Sequence, residues 1–344
     1  MTFDAKEDTE MVNIVLIGGT GVIAKRRHIA GIQQSKSANL YGFYARTAEK
    51  VQAAAAEYNA KGFTSLEDVW QDPQVDAVLV CTPTPSHCEI VIAALNAGKH
   101  VLCEKAMAVS TEEAKRMAAA VKSSGKKLMM LHVQRRYAPH VEAKKLLDRG
   151  EIGRLISYRT NLGVAGVPGA TTTVIPEWKN VVAEIGSHRI DLMRHIVASE
   201  VKQVFSYVDC LYPEKHGTLA DNTTILMRHE NGVVGTLCFS RTSYNANDRS
   251  TVLFGTEGVI TTFAETHELL VEKRDGTRIT YSFPNAHAQN NLELTDLHQI
   301  FCECIEADTE MPINERDGVA SMCIIDAINE SNARGAWVDV GPID

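Results

Sequence analysis

Residues 13–24 read NIVLIGGTGVIA, and this stretch decides the fold of the first half of the chain. Residues 13–17 form an unbroken apolar run, the pattern of a parallel strand buried on both faces. A glycine cluster follows, then a stretch with helical spacing over about 23–34. Gly19-x-Gly21-x-x-Ala24 fits the G-x-G-x-x-G/A turn of dinucleotide-binding units. The first glycine allows the tight turn, the second lets backbone approach a pyrophosphate, and the small third residue lets helix and strand pack. Gly19, Thr20, Gly21, Val22 and Ile23 then present backbone N–H groups at a helix N-terminus, which favours anionic phosphate. The competing reading is a glycine-rich loop without a ligand. It is weakened by the context, because this turn follows a strand and opens a helix.

The next hundred residues repeat the same rhythm. Strand patterns fall at 39–44, 77–81, 100–103 and 128–132. Helical patterns fall at 47–58, 66–70, 86–97 and 111–124, with Thr47 and Thr111 as capping residues and Gly98 and Gly125 as stops. Alternating strand and helix predict a doubly wound parallel sheet of the Rossmann type over residues 11–134. Beyond residue 134 the texture changes. Strand patterns recur at 155–162, 202–209, 223–229, 233–240, 250–254, 259–263, 268–273 and 277–283. Glu230-Asn231-Gly232 and Asp275-Gly276 read as hairpin turns. Helices interrupt at 139–149, 183–196, 292–306 and 317–335. Residues 135–344 are therefore expected to form an α+β domain with a large, mostly antiparallel open sheet. One face of that sheet would be left for a partner subunit in a dimer or tetramer.

Bulk properties narrow the function. The 344 residues carry 35 basic and 43 acidic side chains, a formal net charge of -8, which argues against a nucleic-acid binder. No apolar run approaches membrane-spanning length. Residues 1–10 read as a polar leader rather than a signal or transit peptide. The eight cysteines show neither CxxC pairs nor metal-ligand spacing, so free thiols in a reducing cytoplasm are expected, with no metal.

The end of the second strand bears on which dinucleotide binds. An acidic residue there would accept from the ribose 2′-hydroxyl of NAD. This chain has Ala45, then Arg46 and Thr47, with Lys50 one turn on. An uncharged gap beside a guanidinium suits the 2′-phosphate of NADP, making NADP the preferred cofactor and NAD the alternative. Arg46 stacking on adenine, or simply solvated, is the competing reading.

Four motifs, in order and at characteristic distances, resemble the Gfo/Idh/MocA family, named for glucose-fructose oxidoreductase, inositol dehydrogenase and a rhizopine-catabolism protein. They are the Gly19-to-Ala24 turn with His28 soon after; Cys81-Thr82-Pro83-Thr84-Pro85-Ser86-His87; Gly98-Lys99-His100-Val101-Leu102-Cys103-Glu104-Lys105; and Glu184-Ile185-Gly186-Ser187-His188-Arg189-Ile190-Asp191. The resemblance covers nearly the whole chain. It implies oxidation or reduction at a sugar, inositol or glycoside carbon. Cys81, Thr82, Pro83, Glu104 and Lys105 fall at the carboxyl edge of the sheet, where cofactors lie. His87 is expected to reach the nicotinamide ribose, against a reading as a surface histidine beside a cap. In the family this lysine is catalytic, usually within Glu-Lys-Pro; here Ala106 replaces the proline. The histidine corresponding to His188 is the acid/base, and Glu184 stands where relatives carry aspartate. Spacing of four places Glu184 and His188 on one helix face, with Asp191 nearby. Arg136, Asp191 and Trp178, the last in a glycine- and threonine-rich stretch at 163–178, are candidate substrate residues beside Lys105 and His188, with Asn222, Arg241 and Tyr244 unplaced.

The expected chemistry is hydride transfer between nicotinamide and a CH–OH carbon, His188 moving the hydroxyl proton and Lys105 polarising the oxygen. Two alternatives stay open: a retained cofactor that oxidises transiently to drive elimination or glycoside cleavage, and a non-catalytic NAD(P)-binding regulator.

Overall fold

The computed structural model describes residues 11–21, 24–164, 181–216, 220–243, 248–263, 266–283 and 292–344. Internal packing divides the chain into two compact units. The first is built on β1 (Val12–Ile17), β2 (Ala38–Tyr44), β3 (Lys61–Phe63), β4 (Ala77–Val80), β5 (His100–Cys103) and β6 (Leu128–Met130). These strands form one sheet in the order β3-β2-β1-β4-β5-β6, and every pairing is parallel. Ile14, Val15, Leu16 and Ile17 are fully buried, as are Val78, Leu79 and Val80. Each such side chain contributes about 1.5–3 kcal/mol of burial, which explains the unbroken apolar runs. The order reverses direction at β1, so a crevice opens between β1 and β4 at their carboxyl ends.

Three differences from the sequence reading have physical causes. β3 is a strand of three residues with only Phe63 buried, too short and too polar to show a period. Among the described residues, Thr47 sits at a helix N-cap without a side-chain cap bond, and the hydroxyl of Thr111 has no hydrogen-bond partner. The Asp326 carboxylate accepts from the Thr111 N–H instead. Most consequentially, the first unit comprises Met1–Ala108, Glu112–Leu131 and Ala288–Gly318, so the break is not a single cut after residue 134. The helix Leu292–Glu306 packs on the helix Ile29–Gln34. Its Gln299 Oε1 accepts from Ser35 Oγ and from the N–H of Lys36, and the Met130 N–H donates to the Ile313 carbonyl. An amphipathic helix declares that one face is buried, not which core buries it.

The second unit holds a nine-stranded sheet made of β7 (Leu155–Gly163), β8 (Val201–Asp209), β9 (Asn222–His229), β10 (Val234–Ser240), β11 (Thr251–Gly255), β12 (Gly258–Phe263), β13 (Glu268–Lys273), β14 (Arg278–Ser282) and β15 (Val338–Asp339). The order is β14-β13-β12-β11-β7-β10-β9-β8-β15. Only β7 and β10 pair in parallel. Both anticipated hairpin turns carry a left-handed glycine, Gly232 (φ +85°) and Gly276 (φ +89°). On the inner face Thr223, Ile225, Met227 and His229 of β9 are buried, beside Leu237 and Phe239 of β10. The helix Glu315–Arg334 grips this sheet, its Ile328 carbonyl accepting from Ser206 Oγ at 2.7 Å. The other face stays apolar and open at Phe205, Tyr207, Val234 and Trp337, with Tyr207 54% exposed. Among the described residues no helix is long and apolar enough to cross a membrane.

Buried histidines make the fold acid-sensitive. His140 is 2% exposed; its Nδ1 lies 2.9 Å from the Gln134 carbonyl and its Nε2 is 3.0 Å from Arg189 Nη1. A guanidinium only donates, so Nε2 must be the acceptor and the imidazole is the neutral Nδ1–H tautomer. Burial, then the Arg189 charge, push its pKa down to about 3. Burial and the neighbouring Lys126 and Lys127 likewise hold His100 at about 4. Both folded values lie below the unfolded one, so stability is complete above pH 6.5 and drains as pH falls toward 3. Between pH 6.5 and 4 the His140 contribution alone is about 3 kcal/mol. The urea midpoint is expected to fall over that window. His140→Gln, which keeps an acceptor for Arg189 and cannot be protonated, is expected to flatten the fall; an unchanged slope contradicts the assignment.

Candidate active site

The turn after β1 is built by exclusion of side chains. Gly18 takes φ +84°, and a Cβ there would lie 3.0 Å from the Cys81 carbonyl oxygen. On Gly19 a Cβ would sit 2.7 Å from both Leu16 Cβ and Phe43 Cδ1, and on Gly21 it would meet the Gly18 carbonyl at 3.2 Å. The left-handed residue is thus Gly18, one position before the glycine expected to make the turn. Gly19 is held instead by close packing. Gly18 N–H donates to the Tyr44 carbonyl and Gly21 N–H to the Gly18 carbonyl, closing the turn against β2. Ala24 is fully buried, as its small size requires. Val22 and Ile23 lie outside the described residues, as do Trp178, Tyr244 and most of the stretch at 163–178.

Ala45 is half-buried just past the end of β2, and Arg46, Thr47 and Lys50 are exposed beyond it. At the end of β4, the Cys81 thiol contacts the Ile17 carbonyl at 3.4 Å, and burial pushes its pKa far up, which removes it as a nucleophile. Thr82 Oγ1 accepts from Ser86 Oγ at 2.8 Å.

His87 lies in the interior rather than at the surface. It is 1% exposed, with Nε2 2.9 Å from the Thr82 carbonyl and Nδ1 3.0 Å from the Ala106 carbonyl. Burial lowers its pKa, and a neutral ring donates to only one of the two. His87 is thus held between two backbone carbonyls, one in the loop after β4 and one in the loop after β5.

Glu104 and Lys105 follow β5 and are both half-buried; the Lys105–Ala106 peptide bond is cis. The Glu104 carboxylate is engaged on both oxygens. Oε1 lies 3.0 Å from His28 Nε2, and Oε2 accepts the Lys105 N–H at 3.2 Å. Burial alone would raise the Glu104 pKa. The His28 hydrogen bond, with the charges of Lys105 and Arg27, outweighs it and holds the acid at about 2.

In the second unit a π-helical turn, Val182–Gly186, leads into the helix Ser187–Val197. Glu184 and His188 are both half-buried. The Glu184 carboxylate forms an ion pair with Arg241 Nη2 at 2.5 Å, at the end of β10. Sequence spacing alone left Arg241 unplaced. Asp191 is fully buried and accepts from Arg135 Nε at 2.7 Å and Nη2 at 2.5 Å. A bidentate buried pair of this kind is a structural tie, and removing one partner strands a charge. Three residues beyond His188, the side chain has rotated onto the core-facing side of the helix. Arg136, beside this pair, is half-buried.

Comparison with known proteins agrees with this fold. Residues 12–132 match the model of an oxidoreductase family with an NAD-binding Rossmann fold, and residues 140–261 match the Gfo/Idh/MocA C-terminal domain. A levoglucosan dehydrogenase from Pseudarthrobacter phenanthrenivorans is 28% identical over 96% of this chain and 99% of its own. The scyllo-inositol 2-dehydrogenase (NAD(+)) of Bacillus subtilis is 29% identical over 74% of this chain and 76% of its own. A solved levoglucosan dehydrogenase in complex with NADH and levoglucosan superposes with a TM-score of 0.85 at 26% identity, covering 97% of this chain and 100% of that one. With a family model on each half and relatives aligned along nearly its whole length, the chain belongs to the Gfo/Idh/MocA family of oxidoreductases.

Proposed function

We propose that this protein moves a hydride between a nicotinamide dinucleotide and a CH–OH or C=O carbon of a sugar, inositol or glycoside. The observation that carries the reading is the glycine turn at the carboxyl end of β1, beside the point where strand order reverses. Three glycines keep that backbone bare of Cβ atoms, which fits a pyrophosphate. Gly19, Thr20, Gly21, Val22 and Ile23 would hold the phosphates. Ala45, Arg46 and Thr47 would face the adenosine ribose, and Cys81, Thr82, Pro83, Glu104 and Lys105 the nicotinamide end. When bound, the nicotinamide supplies the hydride acceptor for oxidation and the donor for reduction. In the proposed roles the His188 imidazole takes the substrate hydroxyl proton or returns it. The Lys105 ammonium stabilises the developing alkoxide. Glu184, neutralised by Arg241, fixes the turn that presents His188. Arg136 and Trp178 are kept as substrate contacts.

His188→Ala is expected to lower kcat about 100- to 10,000-fold while the dissociation constant for the cofactor stays nearly unchanged. Lys105→Met is expected to do the same by removing charge stabilisation. The assay follows nicotinamide absorbance over a panel of sugars, inositols and glycosides with their keto forms. Full turnover by either variant contradicts its role.

NADP is the proposed preference. The NADH and NAD(+) named above belong to the relatives, and the support here is the exposed Arg46 behind Ala45. NADPH is expected to bind more tightly than NADH, and Arg46→Asp to reverse the order. Equal or tighter NADH binding by the unaltered protein refutes the preference.

The open face of the large sheet supports a homo-oligomer, a dimer or tetramer, and eight free cysteines support residence in a reducing cytoplasm. Sedimentation is expected to give a mass above 37.7 kDa, and Tyr207→Glu with Trp337→Glu to lower it. A monomer at all concentrations contradicts the assembly.

A further inference from the structure

His28 and His298 are fully buried in the first unit and meet although 270 residues separate them. His28 ends the helical turn Ala24–His28 that follows the glycine turn. His298 comes from the returning helix Leu292–Glu306, which is pinned one residue further on by Gln299. The rings meet edge to face at 90°, with centroids 5.4 Å apart. His28 Nδ1 lies 3.3 Å from His298 Nε2, and His28 Nε2 lies 3.0 Å from Glu104 Oε1.

Proton bookkeeping orders these contacts. An ionised carboxylate only accepts, so His28 Nε2 carries the hydrogen. A neutral His28 would then accept at Nδ1, with His298 Nε2–H as the donor. The remaining Glu104 oxygen accepts the Lys105 N–H. Two apolar rings would fill the same space without the cost of burying polar atoms. The geometry points to a directional chain, in which we propose that His298 and His28 are positioning residues: they fix Glu104, and through it the peptide that carries Lys105. The kinetic part of this inference rests on the function proposed above; the tautomers do not.

Arg27 and Lys105 lie close enough to act on Glu104, and the thiols of Cys81 and Cys103 lie beside it. His28→Leu is expected to lower kcat about 10- to 100-fold with little change in the KM for cofactor, as misplacement of a reacting group does. It is also expected to move the acid limb of the pH profile upward, because Glu104 loses its hydrogen bond. His28→Gln, whose amide can donate where Nε2–H did, is expected to restore most of the rate and the acid limb. His298→Leu and His298→Gln should form a second, milder pair with the same order. Lys105→Met is assayed alongside. If Lys105→Met is inactive and His28→Leu matches the unaltered protein, or glutamine rescues no better than leucine, the relay is wrong and the proposed function stands. If Lys105→Met also retains full rate, the proposed function falls, and imidazole nitrogen NMR on the full-length protein decides the relay by itself. The expected spectrum shows His28 and His298 as Nε2–H tautomers, with the His28 signals displaced in His298→Gln. A His28 ring protonated at Nδ1 alone, or signals indifferent to His298, overturns it.

Discussion

A Cβ atom on Gly19 would stand 2.7 Å from Leu16 and from Phe43, and one on Gly18 would press on the Cys81 carbonyl. This prohibition of side chains shapes the whole first unit. It lets β1 end in a turn tight enough for its own residues to pack beneath it. It also brings the ends of β1, β2 and β4 to one point, with Gly18 donating to Tyr44 and Cys81 to Ile17. Bare backbone at a helix start is an anion site, and it forms here because the strand below is fully buried and cannot shift.

Around that point the protein spends polar groups on rigidity. His87 sits between backbone carbonyls of the loops after β4 and β5 and donates to one of them. Glu104 stays ionised in a half-buried place because donors and cations surround it, and both of its oxygens are engaged. The second unit uses the same device, with Asp191 clamped by Arg135 and Glu184 by Arg241. Each buried charge is stable only with its partner present, so these pairs hold backbone positions as firmly as apolar packing does. Lys105 and His188 each emerge from a segment fixed in this way.

Much of this was legible in the amino-acid order, and the rest was illegible for definite reasons. Unbroken runs such as 14–17 and 77–80 declared a parallel sheet, and period-two alternation in β9 and β10 declared the second one. Glycines at 232 and 276 marked their hairpins. β3 escaped because three residues cannot display a period. The return of Leu292–Glu306 to the first unit escaped because helical spacing says nothing about long-range partners. His87 and Asp191 were read as ligand contacts because a motif gives residue type and order, whereas their burial against backbone carbonyls and Arg135 is set by long-range packing. His28 appeared only as a neighbour of the turn. Its link to His298 spans nearly the whole chain and leaves no local signal.

The central claim is that the glycine turn holds a dinucleotide phosphate, and calorimetric titration of the protein with NADPH and NADH tests it most directly. Gly21 is the position to alter, since among the described residues a Cβ there meets only the Gly18 carbonyl, at 3.2 Å, and leaves the packing of Leu16 and Phe43 alone. The unaltered protein should bind dinucleotide, and Gly21→Val should lose that binding while melting at the same temperature. Undiminished binding by Gly21→Val, or no binding by the unaltered protein, would contradict the account.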